Sequence, residues 1–113
     1  MSLDVYLDME PCPTCGHGER VYDANITHNL SKMADRAGIY KCLWHPKENG
    51  FTEAHQLIEP IRAGLALLRA EPDRFRELSS SNGWGTYEQF IPWVERYLVA
   101  CMVYPAAKVS TWV

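Results

Sequence analysis

The chain has 113 residues, of which 47% are hydrophobic and 22% are charged, and its formal net charge is −3. This length and composition predict a single domain, residues 1–113, with one core, and they argue against disorder. The acidic balance argues against nucleic acid as a partner, and the absence of a long apolar run argues against a membrane span.

Two strands open the chain. Along the first strand apolar side chains alternate with polar ones, as expected of a half-buried strand. Its apolar members are Leu3, Val5, Leu7 and Met9. Residues 19–26, ERVYDANI, alternate in the same way. A turn of about eight residues separates the two strands, so they are predicted to form a hairpin.

Residues 27–38 are predicted to form the first helix, with Thr27 as its N-cap and Gly38 ending it. An aromatic-rich connection comes next. The second helix is predicted from Thr52 to about Ala70, because its apolar residues recur with the helical period. Pro60 lies inside this range and is expected to bend the helix.

The third helix has the clearest start. Thr86 followed by Gln89 forms the pattern of a capping box. Pro92 is expected to kink the helix, and Cys101 falls on its buried stripe. Residues 107–113 alternate again and are predicted to form the last strand. Antiparallel, up-and-down connections then give an α+β fold, ββαααβ. Its three-stranded sheet has the order 2-1-3 and three helices on one face.

The hairpin turn PCPTCGHG holds a Cys-x-x-Cys pair, Cys12 and Cys15, which is typical of a zinc-knuckle-like turn. Strand two leads away from this tip over roughly 23 Å, and the first helix is expected to climb back about 15 Å. That course predicts that Cys42 and His45 complete a structural Cys₃His zinc site. His17 is a competing fourth ligand, and a reduced thiol pair or a redox dithiol are alternatives for the turn.

The opposite end of the sheet is the predicted ligand-binding end, because the first and third helices both begin there. Helix N-termini attract anions, and amides and aromatic rings suit a nucleotide-sized pocket. The predicted ligand-binding residues are Asn25, Thr27, His28, Asn29, Trp84, Thr86 and Tyr87. Structural roles compete with this interpretation: both threonines are explained as N-caps, and Trp84 could cover the core.

Three segments carry a resemblance: NITHNLSKMADRAGIY, NGWGTYEQF and YLVACMVYPAAKV. Together with the opening DVYLD strand, they resemble a family of small, uncharacterised proteins encoded by tailed bacteriophages and their prophages. The resemblance covers most of the chain and implies an accessory protein that works in the host cytoplasm. Its most specific parts match the predicted ligand-binding end rather than the cysteine turn.

The predicted function is therefore that of a small non-enzymatic accessory protein. It binds a host protein or a small anionic, nucleotide-like ligand, and zinc stabilises its first hairpin. One alternative is a nucleotide-directed enzyme centred on His28, with Asp23 supporting acid–base chemistry. Another is a nucleic-acid-binding module resembling a zinc ribbon. The start of the chain lacks the features of a signal peptide, which agrees with a cytoplasmic location.

Overall fold

The computed structural model describes residues 2–9 and 18–113. Within these residues there are three strands and five α-helices: β1 (Ser2–Met9), β2 (Glu19–Thr27), α1 (Ser31–Arg36), α2 (Tyr40–Trp44), α3 (Ile58–Ala70), α4 (Pro72–Arg76), α5 (Tyr87–Val103) and β3 (Lys108–Trp112). Short 3₁₀ turns precede α1 and α3 and follow α2. They occupy His28–Leu30, Ala54–Leu57 and Lys47–Asn49.

The sheet has the order β2-β1-β3 and both of its strand pairs are antiparallel, as the sequence predicts. Asp4 on the central strand lies opposite Asn25 on one side and Trp112 on the other. The alternation along β1 decides which face is covered. Leu3, Val5 and Leu7 are fully buried against the helices, and the polar residues between them face the other way.

Helices α3 and α5 pack against each other, and α5 also contacts β2 on this face of the sheet. The largest fully buried side chains of the described residues are Trp44, Tyr97, Phe75 and Phe90. The predicted capping box of the last helix is confirmed: Thr86 Oγ1 accepts from the Gln89 N–H, and Gln89 Oε1 accepts from the Thr86 N–H. None of the described helices combines the length and the apolar character needed to cross a bilayer.

The first helix departs from its prediction. Helix α1 ends at Arg36 after only six residues, and Gly38, with a φ of 80°, turns the chain into α2. Helix α2 occupies the segment expected to be a connection. At its end, the Trp44 Nε1–H donates to His28 Nδ1 at 2.8 Å. The chain has therefore returned to where α1 began, so the predicted climb toward the hairpin tip is wrong.

The two prolines inside helices have different positions. Pro60 is the third residue of α3, because the chain before it forms a 3₁₀ turn. Proline is tolerated in the first turn, where its missing N–H has no intrahelical partner to lose. The reason for expecting a bend at Pro60 is therefore removed. Pro92 does lie inside α5, which runs without interruption from Tyr87 to Val103.

A candidate ligand cleft beside helix α5

An open cleft of about 960 Å³ lies at the end of the sheet where β2 ends and α5 begins. We call it the α5 cleft. The residues of its lining that matter most for its chemistry are Asn25, His28, Asn82, Trp84, Trp93 and Arg96. The structure thus brings together the two segments, 25–29 and 82–87, that the sequence predicts to meet.

Direct contacts fix these two segments to each other. The Asn29 Nδ2–H donates to the Trp84 carbonyl at 2.8 Å. Gly85 adopts a φ of 99°, and a Cβ at this position would lie 2.9 Å from Asn29 Cβ and 3.0 Å from Thr27 Cγ2. Only glycine suits both the left-handed backbone and this close approach.

We expect Gly85→Ala to lower the free energy of unfolding by roughly 2–3 kcal/mol, because backbone strain adds to overpacking. Gly50→Ala is the matched control. Gly50 has a similar φ of 85° but nothing within 4 Å of the added Cβ. Gly50→Ala should therefore lower the free energy of unfolding by only about 1 kcal/mol. Urea denaturation of both variants measures the difference. Equal losses would mean that the contact between the two segments is not tight.

Trp84 combines a fixed backbone with a free side chain. Its N–H donates to Asn82 Oδ1 at 2.9 Å, and its carbonyl accepts from Asn29. Asn82 Oδ1 also accepts from the Ser80 hydroxyl at 2.5 Å, which orients the amide. The residue as a whole is 71% exposed. Trp84 therefore does not cover the core; it presents an aromatic face at the mouth of the cleft.

The hydrogen bond from Trp44 determines the role of His28. An indole N–H is only a donor, so His28 Nδ1 must be the acceptor. In the neutral ring the proton is then on Nε2, and the imidazole is held further by stacking on Trp44 at 6.0 Å. His28 thus offers a donor and no free basic nitrogen, which is unfavourable for a general base.

Asp23 does not support acid–base chemistry at His28. It lies on β2 opposite Tyr6, on the uncovered face of the sheet, and it is not part of the cleft lining. Five residues of extended chain separate it from His28, which corresponds to roughly 16 Å. Asp23 and His28 therefore do not form the acid–base pair of the enzyme alternative.

Asn25 lies in the cleft, but the sheet uses much of its polar capacity. Its Nδ2 donates to Asp4 Oδ1 at 2.7 Å and to Ser2 Oγ at 2.9 Å. Its carbonyl accepts from the Trp93 Nε1–H at 3.1 Å. The Asn25 side chain is thus held beside Asp4, on the face of the sheet turned away from the helices, and its oxygen is the polar group that it can offer to a ligand from the strand edge.

The predicted anion site at the helix starts is not supported. The N–H groups of Gly85 and Thr86 both donate to Gln89 Oε1, and the Tyr87 N–H donates to the Ser79 hydroxyl. The donors that would attract an anion are therefore occupied by the chain itself. At the other helix start, Thr27 Oγ1 accepts from the Asn29 N–H, and the turn that follows has only three residues.

Tyr87 has a structural position rather than a position in the cleft. Its side chain is buried, and its hydroxyl donates to the Leu68 carbonyl at 2.7 Å, which ties the start of α5 to α3. The Arg76 guanidinium lies over its ring at 5.0 Å. Thr86 is likewise occupied as the cap of α5 and is not part of the cleft lining.

Of the six cleft residues named above, Trp93 and Arg96 are not expected there from the sequence; they lie one turn apart on α5. The Arg96 side chain is exposed and has no carboxylate partner among the described residues. It lies beside Tyr22, whose pKa burial raises and the nearby guanidinium lowers in part. The spacing of three between Trp93 and Arg96 predicts that they share a face of the helix, but it does not show that this face meets β2.

The structure describes two of the four predicted zinc ligands, Cys42 and His45. Cys12, Cys15 and the competing ligand His17 lie outside the described residues. Cys42 is 3% exposed, and its Sγ–H donates to the Ile39 carbonyl. Burial raises the pKa of this thiol to about 12, which disfavours the thiolate that zinc requires.

His45, the fourth predicted ligand, lies between two other partners. Its Nδ1 is 3.1 Å from Glu48 Oε2, and its Nε2 is 3.3 Å from the Tyr40 hydroxyl. No group of three or more potential metal-binding side chains occurs within residues 2–9 and 18–113. The four-ligand set stays a prediction from the sequence, because Cys12 and Cys15 lie outside the described residues; the buried, hydrogen-bonded Cys42 thiol does not favour it.

Comparisons with protein-family models, with curated proteins and with solved structures give no significant match. The fold and the α5 cleft therefore define the class of protein by themselves: an α+β domain with an aromatic, amide-lined cleft at one end of its sheet.

Proposed function

We propose that this chain is a non-enzymatic binding protein whose α5 cleft takes a small, planar, anionic molecule such as a nucleotide. The observation that carries the proposal is Trp84, an exposed indole whose backbone is fixed on both sides at the cleft mouth. An aromatic ring held in this way can stack on a base without first losing backbone freedom.

The charges in the cleft favour an anionic ligand. Arg96 lines the cleft and has no carboxylate partner in the described part of the chain. Its guanidinium neighbours the Tyr22 hydroxyl, which does not neutralise it, so the positive charge favours a phosphate or carboxylate ligand. The acidic residue of the lining, Glu88, lies 2.6 Å from Arg76 Nε, and this contact holds the pKa of Glu88 below its usual range. His28 and Asn82 add polar groups around these charges.

The absence of a free base at His28 favours binding over catalysis in this proposal. The resemblance to phage accessory proteins suggests where such a binder works: in the cytoplasm of an infected host, where it removes a nucleotide-like metabolite from solution. Sequestration needs only affinity and an accessible cleft, and it agrees with a domain of this size.

The test compares two tryptophans that are equally exposed. Trp84 and Trp112 are each 71% exposed, but Trp112 is on β3 and outside the cleft lining. A panel of nucleoside mono-, di- and cyclic phosphates is screened by calorimetry. Trp84→Ala should weaken the best ligand by roughly 5- to 150-fold, which corresponds to the loss of one stacked base at about 1–3 kcal/mol.

Trp112→Ala should leave the affinity unchanged. Arg96→Ala should weaken the nucleotide but not its nucleoside, whereas Arg62→Ala, which removes an arginine paired with Glu59, should affect neither. The proposal fails if no panel member binds with a Kd below about 1 mM, or if the two tryptophan variants behave alike.

A further inference from the structure

The two edges of the sheet differ in how they are protected. The β3 edge is covered by residues 52–54: the Val109 N–H donates to the Thr52 carbonyl, and the Ala54 N–H donates to the Ala107 carbonyl. An additional bridge joins Glu53 to Lys108. On the β2 edge, no backbone group among the described residues pairs with the outer side of the strand. An uncovered edge of this kind can accept another strand.

The side of β2 that is open can be located from one hydrogen bond. The Asn25 carbonyl accepts from the Trp93 indole rather than from β1, so it points to the outer edge. Backbone groups alternate in direction along a strand, and the N–H and C=O of Asp23 therefore point to the same edge. The Trp93 bond closes the edge at Asn25, and no other described residue pairs with the backbone on this side of β2.

An apolar groove of about 480 Å³ runs beside this open part of β2. Its walls are Tyr22 on the strand and the second half of α5, where Val99 is 57% and Val103 is 60% exposed. Val99 and Val103 are four residues apart and share one face of α5. The exposed Met102 lies instead beside Arg62 of α3 and outside the groove. The grouping of Val99 and Val103 is typical of a contact surface rather than of scattered surface residues.

Charge indicates what the groove accepts. Arg96 lies where the groove meets the α5 cleft and lines both. The neighbouring Glu95 is paired with Arg69 and does not neutralise it. A segment that enters the groove therefore meets the Arg96 guanidinium at one end, which favours a carboxylate on the partner. A second copy fits poorly, because two β2 edges paired about Asp23 would bring two carboxylates opposite each other.

We propose that the β2 edge and this groove form a docking site for an extended segment of a partner protein. The segment adds as a fourth strand beside Asp23, places apolar side chains against Tyr22, Val99 and Val103, and offers a carboxylate to Arg96. Backbone pairing gives the affinity and the groove gives the selectivity, as in other cases of strand addition. The site is distinct from the stacking position of Trp84 and does not depend on the nucleotide proposal.

The test starts from a library of random octapeptides selected against the purified full chain. The strongest selected sequence is then synthesised and used as the probe. We expect alternating apolar residues and an acidic residue in the selected set. Val99→Glu, at an exposed position that folding does not need, should weaken the probe at least ten-fold. Arg96→Glu should change the selected acidic residue to lysine or arginine.

Backbone pairing is tested by methylating the probe at one amide nitrogen at a time. Methylation should abolish binding of the probe at alternate positions, where the amide N–H faces β2. Methylation at the positions between them should have little effect. Trp112→Ala serves as the control for an exposed apolar residue on the other edge strand, and Trp84→Ala as the control for the α5 cleft; neither should affect the probe.

The proposal is overturned if the library gives no binding sequence, if methylation acts without alternation, or if Trp84→Ala abolishes probe binding. Sedimentation of the free chain adds a further check. A dimer that Val99→Glu dissociates would show that a second copy occupies the groove instead.

Discussion

Gly64→Ala should destabilise the protein by about 2 kcal/mol, although alanine is the better helix former. Gly64 lies inside α3, where exchange to alanine would ordinarily gain about 1 kcal/mol. Here the new Cβ would overlap Ile39 Cγ2 and lie 3.2 Å from the Ala37 carbonyl oxygen. Ile39 is fully buried and β-branched, so it has little freedom to move away.

A double-mutant cycle with Ile39→Ala separates overpacking from other effects. Ile39→Ala removes the methyl group that the new Cβ would meet, at a cost of its own of roughly 2–5 kcal/mol. In that background, Gly64→Ala should be neutral or stabilising in urea or thermal denaturation. If Gly64→Ala is equally harmful in both backgrounds, the contact between α3 and the segment after α1 is not the cause.

The second large effect is a loss of stability at alkaline pH. Burial raises the pKa of Cys42 and of Cys101 from the ordinary 9.0 to about 12. In the unfolded chain both thiols ionise from about pH 9, whereas in the native protein they keep their protons. The unfolded state then binds fewer protons, so the free energy of unfolding falls as pH rises. The stabilisation is complete below pH 9 and is lost progressively up to about pH 12.

In this window each thiol should lower the free energy of unfolding by about 1.4 kcal/mol per pH unit, and the two together by about 3 kcal/mol per pH unit. Tyr97, whose pKa burial also raises, acts in the same direction above pH 10. Urea titrations at pH 8, 9, 9.5 and 10 measure the slope in a Cys12→Ser/Cys15→Ser background. The matched variant adds Cys42→Ala and Cys101→Ala, and it should be nearly flat between pH 9 and 10. A slope that persists in this variant would assign the effect to other groups.

The parts of the fold that the sequence predicts correctly depend on local chemistry. The alternation along β1 specifies its buried face, and the Thr86–Gln89 pair specifies the start of α5. Two strands precede the helices and one follows them. With short antiparallel connections, few strand orders in the sheet are then possible. The order β2-β1-β3 follows from these features without knowledge of any contact.

The sequence-based predictions are wrong where tertiary contacts, rather than local sequence patterns, determine the structure. The sequence correctly indicates that the helix ends near Gly38. It predicts a helix over residues 27–38, however, whereas α1 occupies only Ser31–Arg36. The next element is α2, which is placed by the bond from Trp44 to His28 across sixteen residues. No periodicity indicates such a bond. The same limit applies to the cleft: the sequence predicts that Asn25 and Trp84 meet, but Arg96 joins them only because α5 lies against β2.

The position of β1 in the middle of the sheet has a consequence for synthesis. Its partner β2 is complete within the first 27 residues, but its other partner, β3, begins only at Lys108. On the ribosome, the hairpin can form early, while the second side of β1 stays open until β3 has emerged. Until then the strand carrying Leu3, Val5 and Leu7 is exposed to other nascent chains. Slower growth or a holding chaperone during this interval should therefore improve the yield of native protein.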